Sequence, residues 1–235
     1  MKTIRTSAGP FIERPFYKDQ EIERICSDAL AESGFLPAEP GPVRIDRFIE
    51  KRFNVPIIFE VLSAKVLGFT EFGSNGVEAI HVAEPTGERS TAAERRINST
   101  LAHEAGHGLM HAHLFALNLD HGQLFNSDPD VTRTRVLCRD GEHPVPVAQK
   151  RKYDGRWWEL QANRAIGAFL LPELLFRRFV DTFAEPAGKL GTRVLPHQRR
   201  EEVIRAAAET FDVNPAAARV RLDMVFPDRP GQLTL

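Results

Sequence analysis

The stretch that decides the fold reads Thr100-Leu101-Ala102-His103-Glu104-Ala105-Gly106-His107. His103 and His107 lie four residues apart, so on a helix both side chains project from one face. Two neutral imidazoles there can hold a divalent zinc ion and leave room for one more protein ligand and a water. Glu104 lies beside them, where its carboxylate can take a proton from that water. The motif therefore predicts a catalytic metal site, although the same five residues also occur by chance in His-rich amphipathic helices.

Two residues are candidates for the third ligand. His113 follows His103 by ten residues, but Met110 stands where the longer H-E-x-x-H-x-x-G-x-x-H site needs a glycine. Methionine favours continuing the helix, which would turn His113 away. Glu159, at the start of another helix, would complete the two-His, one-Glu set of catalytic zinc, with Asn163 one turn on as a partner for a ligand imidazole. A carboxylate is also favoured near a helix start by the helix dipole alone, so Glu159 by itself leaves the choice open.

The flanking sequence predicts a mixed architecture. Before the motif we expect helices over Asp19–Ser33 and over Asp46–Phe53 with Asp46 as N-cap, and strands over Val55–Leu62, Val66–Phe72 and Val77–Val82 with a turn at Gly73–Gly76. The motif helix is expected from Ala92 to about Leu117, and later helices over Trp157–Leu171, Arg199–Phe211 and Pro215–Val225, with a strand or hairpin around Thr134–Val147. A small sheet followed by helices indicates an α+β fold.

Composition excludes several classes of protein. The 235 residues suit one domain, or a catalytic domain with a small appendage. A net charge of −1, from 31 basic and 32 acidic residues, gives no overall field toward nucleic acid or an anionic membrane. We expect no secretion signal and no membrane span, reduced thiols at Cys26 and Cys138, and a cytoplasmic location.

Two motifs in this order resemble the ImmA/IrrE family of bacterial zinc metallopeptidases. The first is Thr100–His107 with His111 one turn on, similar to the family's T-L-A-H-E-x-G-H helix. The second is Glu159-Leu160-Gln161-Ala162-Asn163 followed by Ala168–Pro172, similar to its E-x-x-A-N helix. The resemblance covers most of residues 15–180.

The resemblance implies a zincin-like catalytic core with a small sheet packed against helices. It implies zinc held by His103, His107 and Glu159, with Glu104 as general base. A metallopeptidase domain would span residues 1–184, and a helical, helix-turn-helix-like tail would span 185–235. The substrate implied is a protein regulator, a DNA-binding repressor or an antitoxin, in transcription control or stress response.

One departure from the family pattern is a longer segment at about residues 114–156, for which an added hairpin or lid is our preferred interpretation. It contains His121, Cys138 and His143, which lack the close ligand pair that a second metal site needs. Tyr153 and His111 are candidates for contact with substrate or transition state.

The tail and the mechanism leave alternatives. Arg219 and Arg221 in the last helix could meet DNA, but the acidic residues around them favour packing against the catalytic domain or a partner. The leading hypothesis is a zinc endopeptidase. Its competitors are a metal-containing regulator that binds its partner without turnover, and a DNA-binding regulator that uses the C-terminal helices. The oligomeric state is left open.

Overall fold

A computed structural model of the chain describes residues 2–5, 13–63, 66–85, 90–114, 134–139, 157–187 and 192–227. The helices in these ranges are α1 (Asp19–Ser33), α2 (Ile45–Phe53), α3 (Thr91–Met110), α4 (Trp157–Leu170), α5 (Glu173–Asp181), α6 (Arg200–Thr210) and α7 (Pro215–Val225). The strands are β1 (Lys2–Arg5), β2 (Glu13–Phe16), β3 (Ile57–Glu60), β4 (Val66–Gly73), β5 (Gly76–Ala83), β6 (Thr134–Arg139), β7 (Glu185–Ala187) and β8 (Thr192–Val194). The expected α+β class is confirmed.

The main sheet has four strands in the order β3-β5-β4-β6. β3 runs parallel to β5, whereas β4 is antiparallel to both β5 and β6. The β4–β5 hairpin turns at the predicted position, and Gly76 there has a φ of 111°, which favours glycine. Thr70 pairs with Ile80 on the face toward the helices, while Phe69 pairs with His81 on the other face.

Most helix predictions agree with the structure to within a residue or two, and Gly34 ends α1 in the left-handed conformation that glycine adopts without strain. The predicted start of α2 is wrong. The helix begins at Ile45, and Asp46 lies in its first turn, where it pairs with Arg44 instead of capping the helix.

The motif helix α3 ends earlier than Met110 suggested. Ser90 caps its N-terminus, and the helix ends at Met110, where His111 adopts φ −121° and ψ −11°. Residues 112–114 are helical again after this break. The side chain of His111 is hydrogen-bonded on both ring nitrogens, so tertiary contacts outweigh the helix propensity of Met110. Residues 115–117 of the expected helix lie outside the described residues.

Some elements had no counterpart in the sequence-based prediction. These are the β1–β2 hairpin, the β7–β8 hairpin inside the expected linker, and α5, which starts directly after Pro172. Proline fixes φ and lacks an N–H, so Pro172 both ends α4 and opens the next helix. β6 confirms a strand within the expected region, and residues 140–147 are not described.

One hydrophobic core unites the N-terminal helices, the sheet, α3, α4 and the C-terminal helices. Its members include Phe48, Ile80, Leu101, Ile166, Phe169, Phe176, Val203, Phe211 and Leu222. The C-terminal helices are therefore packed into the same core as the motif helix. Cys26 is a free, buried cysteine in that core.

Two buried arginines also tie the C-terminal helices to the rest of the molecule. Arg221 in α7 pairs with Glu23 of α1 at 2.6 Å and donates through Nε to the carbonyl of Leu171 at 2.9 Å. Arg95 in α3 pairs with Glu209 and Asp212. None of the helices in the described ranges combines the length and apolar character needed to cross a membrane.

We predict that Arg221→Met destabilises the protein by about 3 kcal/mol, because it leaves the largely buried Glu23 carboxylate without its counter-ion. The matched control is Arg219→Met on the same helix. Arg219 pairs with Glu201 on the surface, and this loss is expected to cost about 1 kcal/mol or less. Urea unfolding measures both, and equal losses would show that the buried pair does not hold α7 in place.

Candidate metal centre

Three side chains from two helices converge in the interior. Nε2 of His103 lies 3.0 Å from Nε2 of His107 and 3.1 Å from Oε2 of Glu159. Nε2 of His107 lies 3.6 Å from the other carboxylate oxygen, Oε1 of Glu159. Within the described part of the chain, these three residues form a group whose ligand atoms all lie within 4.8 Å of one another.

A close approach of α3 and α4 makes this convergence possible. A Cβ atom placed on Gly106 would lie 2.7 Å from Cβ of Ala165 and 3.3 Å from Cα of Ala162. Such distances are shorter than atoms tolerate, so a larger residue would force the helices apart. The small residues on both helices bring the first turn of α4, with Glu159, against the two histidines.

Asn163 supports His103 as expected from its position one turn after Glu159. Its Oδ1 lies 3.0 Å from Nδ1 of His103. When Nδ1 donates this hydrogen bond, the Nε2 lone pair of His103 is directed at the group of ligands.

His111 lies behind His107 and not on the side where the three ligand atoms meet. It is fully buried, with Nδ1 3.0 Å from Nδ1 of His107 and Nε2 2.8 Å from Oε1 of Gln161. The substrate contact considered for His111 is therefore not what its position favours. Burial, together with neighbouring His107, lowers the pKa of His111 well below its usual value.

Other candidates lie away from the group. His113 is exposed and is not a member of it. His81, a further histidine in β5, points to the face of the sheet opposite α3, where Nδ1 lies 2.5 Å from Oε1 of Glu60 and the ring stacks on Phe69. Tyr153, His121 and His143 lie outside the described residues, as does the Cys138 side chain, so the predictions about them stay predictions.

Glu104 is fully buried beside the ligands and is only half satisfied. Its Oε2 accepts a hydrogen bond of 2.6 Å from the Thr70 hydroxyl, whereas Oε1 has no hydrogen-bond partner among the described residues. A Cβ on Gly68 would lie 2.7 Å from the backbone oxygen of His81 and from Cγ2 of Thr100, and at an ordinary contact distance of 3.6 Å from Oε1. Burial raises the pKa of Glu104 to about 8, although Thr70 and His103 oppose the rise.

The three candidate ligands differ in the direction in which their surroundings shift the pKa. Burial alone would raise the pKa of Glu159, but the two imidazoles outweigh it and hold that pKa well below its usual range. Burial opposes a charge on His103, yet its hydrogen bond with Glu159 and the nearby carboxylates raise its pKa. Burial lowers the pKa of His107, which lies farther from Glu159. The histidine with the raised pKa, His103, is thus the one closer to the Glu159 carboxylate, at 3.1 Å against 3.6 Å for His107.

This donor set fits a divalent cation. Two imidazole nitrogens and one ionised carboxylate converge, which are the ligand types of a catalytic zinc site with an open position. The unsatisfied oxygen of Glu104 lies beside them, as a buried polar atom that needs a partner. No sequence pattern predicts the roles of Thr70 and Gln161. Thr70 is 34 residues from Glu104, and Gln161 is two residues from Glu159 on a helix, a spacing that gives no shared face.

No protein-family model matches the sequence, and no curated protein matches it. Among solved structures, the chain is similar to one described as "Mycobacterium tuberculosis transcriptional regulator", with a TM-score of 0.49 and 14% identity. The match covers 91% of this chain and 48% of that one, so this chain spans about half the length of the neighbour. Similarity at this level carries no weight for function.

We predict that Glu104→Gln stabilises the protein in the presence of a chelator, increasingly so as the pH rises. The folded-state pKa of about 8 exceeds the ordinary value of 4.5. The stability that Glu104 contributes is therefore fully present below pH 4.5 and is lost as the pH rises toward 8. Glutamine does not ionise, so the variant keeps that stability, which amounts to roughly 4 kcal/mol at pH 8.

Thermal unfolding of wild type and variant between pH 5 and 8 measures this difference. Other titrating groups affect both proteins alike, so their contributions cancel when the two melting temperatures are subtracted at each pH. A constant gap between the two melting temperatures would mean that Glu104 does not titrate with a raised pKa.

Proposed function

We propose that this chain is a zinc-dependent endopeptidase with a zincin-like core, which hydrolyses a peptide bond in a protein regulator. The observation that carries the proposal is the position of the half-satisfied carboxylate of Glu104 beside the His103, His107 and Glu159 group. A metal site that serves structure alone needs no such carboxylate, whereas hydrolysis needs a base.

The cation would be held by His103, His107 and Glu159. Bound there, a zinc ion supplies Lewis-acid polarisation of a carbonyl and lowers the pKa of water toward neutrality. The same donor types accept other divalent metals, so zinc is the proposed metal on the strength of the ligand set and the resemblance.

Glu104 would hold and move the proton in this reaction. Oε1, which lacks a partner among the described residues, would accept the proton of the attacking water, while the Thr70 hydroxyl holds Oε2 and fixes the rotamer of the side chain. The carboxyl would then return the proton to the leaving amine. Without a cation, burial raises the pKa of Glu104 to about 8, and a cation held beside it would lower that pKa, so the carboxylate would be ionised and able to act as a base near neutral pH.

The substrate class is proposed from the resemblance to the ImmA/IrrE family. It is a DNA-binding repressor or an antitoxin in the cytoplasm, and cleavage would relieve repression during stress or the activation of a mobile element. The two motifs that carry the resemblance, Thr100–His107 and Glu159–Asn163, are the two segments that meet at the metal centre.

One observation favours a second candidate function, a metal-containing regulator that binds its partner without turnover. His103, Glu104 and His107 have no exposed surface. A peptide can reach them only after the site opens, so a site that stays closed would serve structure and partner binding alone.

The third candidate, DNA binding through the C-terminal helices, has less support. Arg221 is buried and paired with Glu23, and Arg219 forms a two-pronged pair with Glu201. Neither guanidinium is free to contact phosphate without breaking its ion pair.

A peptide library prepared from a whole proteome tests for proteolysis while the substrate is still unidentified. We expect new peptide termini, detected by mass spectrometry, with the zinc-loaded wild type. Glu104→Gln is expected to bind zinc yet to lower cleavage roughly 100-fold or more, because it removes the base.

Two controls separate the candidates. Thr70→Val keeps Glu104 but removes the hydrogen bond to Oε2, so a smaller loss is expected. Equal cleavage by wild type and Glu104→Gln would contradict the mechanism, and absence of cleavage by a zinc-loaded wild type would favour the regulator that binds without turnover.

A further inference from the structure

A line of three hydrogen bonds runs from the back of His107 to the N-terminal strand β2. Nδ1 of His107 meets Nδ1 of His111 at 3.0 Å, and Nε2 of His111 meets Oε1 of Gln161 at 2.8 Å. The amide nitrogen of Gln161 donates to the backbone carbonyl of Pro15 at 3.0 Å. His107 and His111 are fully buried, and Gln161 and Pro15 are also buried.

The last bond determines the direction of the others. A backbone carbonyl only accepts, so the amide group of Gln161 must face Pro15 and its Oε1 must face His111. Oε1 is also only an acceptor, and the proton in that bond therefore sits on Nε2 of His111. A neutral imidazole carries one ring proton, so Nδ1 of His111 is unprotonated and accepts a hydrogen bond from the Nδ1–H group of His107.

These hydrogen bonds determine which nitrogen of His107 carries a proton at the candidate metal centre. With its proton on Nδ1, neutral His107 has a bare Nε2, and this is the atom 3.0 Å from Nε2 of His103 in the ligand group. We propose that His111 and Gln161 are positioning residues, which use the Pro15 carbonyl to hold His107 in the tautomer that can bind a metal. This inference rests on the metal-binding part of the proposed function.

Two observations indicate that the surrounding structure favours this line of hydrogen bonds. The ring of Trp157 packs edge-on against His111, with the ring centroids 5.5 Å apart, which holds the imidazole in place. His103 has a partner of its own, because Oδ1 of Asn163 lies 3.0 Å from its Nδ1 and can accept a hydrogen bond from it. Each of the two histidines therefore has its own partners that direct Nε2 toward the group. Asn163 of α4 does so for His103, and the line of hydrogen bonds that ends at Pro15 of β2 does so for His107.

The tautomers can be measured directly by long-range proton–nitrogen NMR on histidines labelled with ¹⁵N. In wild type with a chelator, we expect His107 protonated on Nδ1 and His111 protonated on Nε2. A proton on Nε2 of His107, facing Glu159, would overturn the inference whether or not the protein binds zinc.

A matched pair of variants tests the effect on the metal. His111→Asn places an amide oxygen near the position of Nδ1 and can still accept from His107, whereas His111→Leu has a similar shape and cannot. We expect the zinc dissociation constant, measured by competition with a chelator, to rise roughly 10- to 100-fold in the Leu variant, the usual effect of losing such a partner. The Asn variant should stay within about threefold of wild type.

Failure of this inference and failure of the proposed function give different results. A folded Leu variant that binds zinc as tightly as wild type, with thermal unfolding as the check on folding, would remove the positioning role and leave the metallopeptidase proposal intact. If the wild type shows the expected tautomers but binds no zinc, the hydrogen bonds from His107 to Pro15 are confirmed and the proposed metal binding is contradicted.

Discussion

The close contact between α3 and α4 is the constraint on which the site depends. The two helices approach so closely at Gly106 that a Cβ there would lie 2.7 Å from Cβ of Ala165. This contact brings the carboxylate of Glu159 to 3.1 Å from His103, although 56 residues separate them in the chain. Both helices belong to the hydrophobic core that extends from α1 to α7.

A buried group of ionisable residues is costly unless each polar atom has a partner. Asn163 satisfies the outer nitrogen of His103, and His111 satisfies that of His107. Glu104 is the exception, since its Oε1 lacks a partner in the described structure and its pKa is raised to about 8. The unsatisfied atom thus lies where the proposed chemistry needs a base, and functional sites are where such unpaired buried polar atoms are expected.

Local patterns in the sequence predicted much of the fold. α1 was located because its apolar residues recur at helical spacing and Gly34 directly follows its last residue. Partners distant in sequence left no such signal. Thr70 looks like any strand residue until β4 packs on α3, and Pro15 supports the site only through a backbone carbonyl. The zincin-like core and the peptidase activity stay predictions, since they depend on a metal and a substrate.

The most direct test of the account is the zinc content of the purified protein, measured by elemental mass spectrometry for wild type, Glu159→Ala and Glu173→Ala. Both glutamates lie in the first turn of a helix, but Glu173 pairs with Arg177 away from the metal centre. The account predicts about one zinc per chain in wild type and in Glu173→Ala, with loss of the metal in Glu159→Ala. Zinc retained in Glu159→Ala, or no metal in wild type after reconstitution, would contradict it.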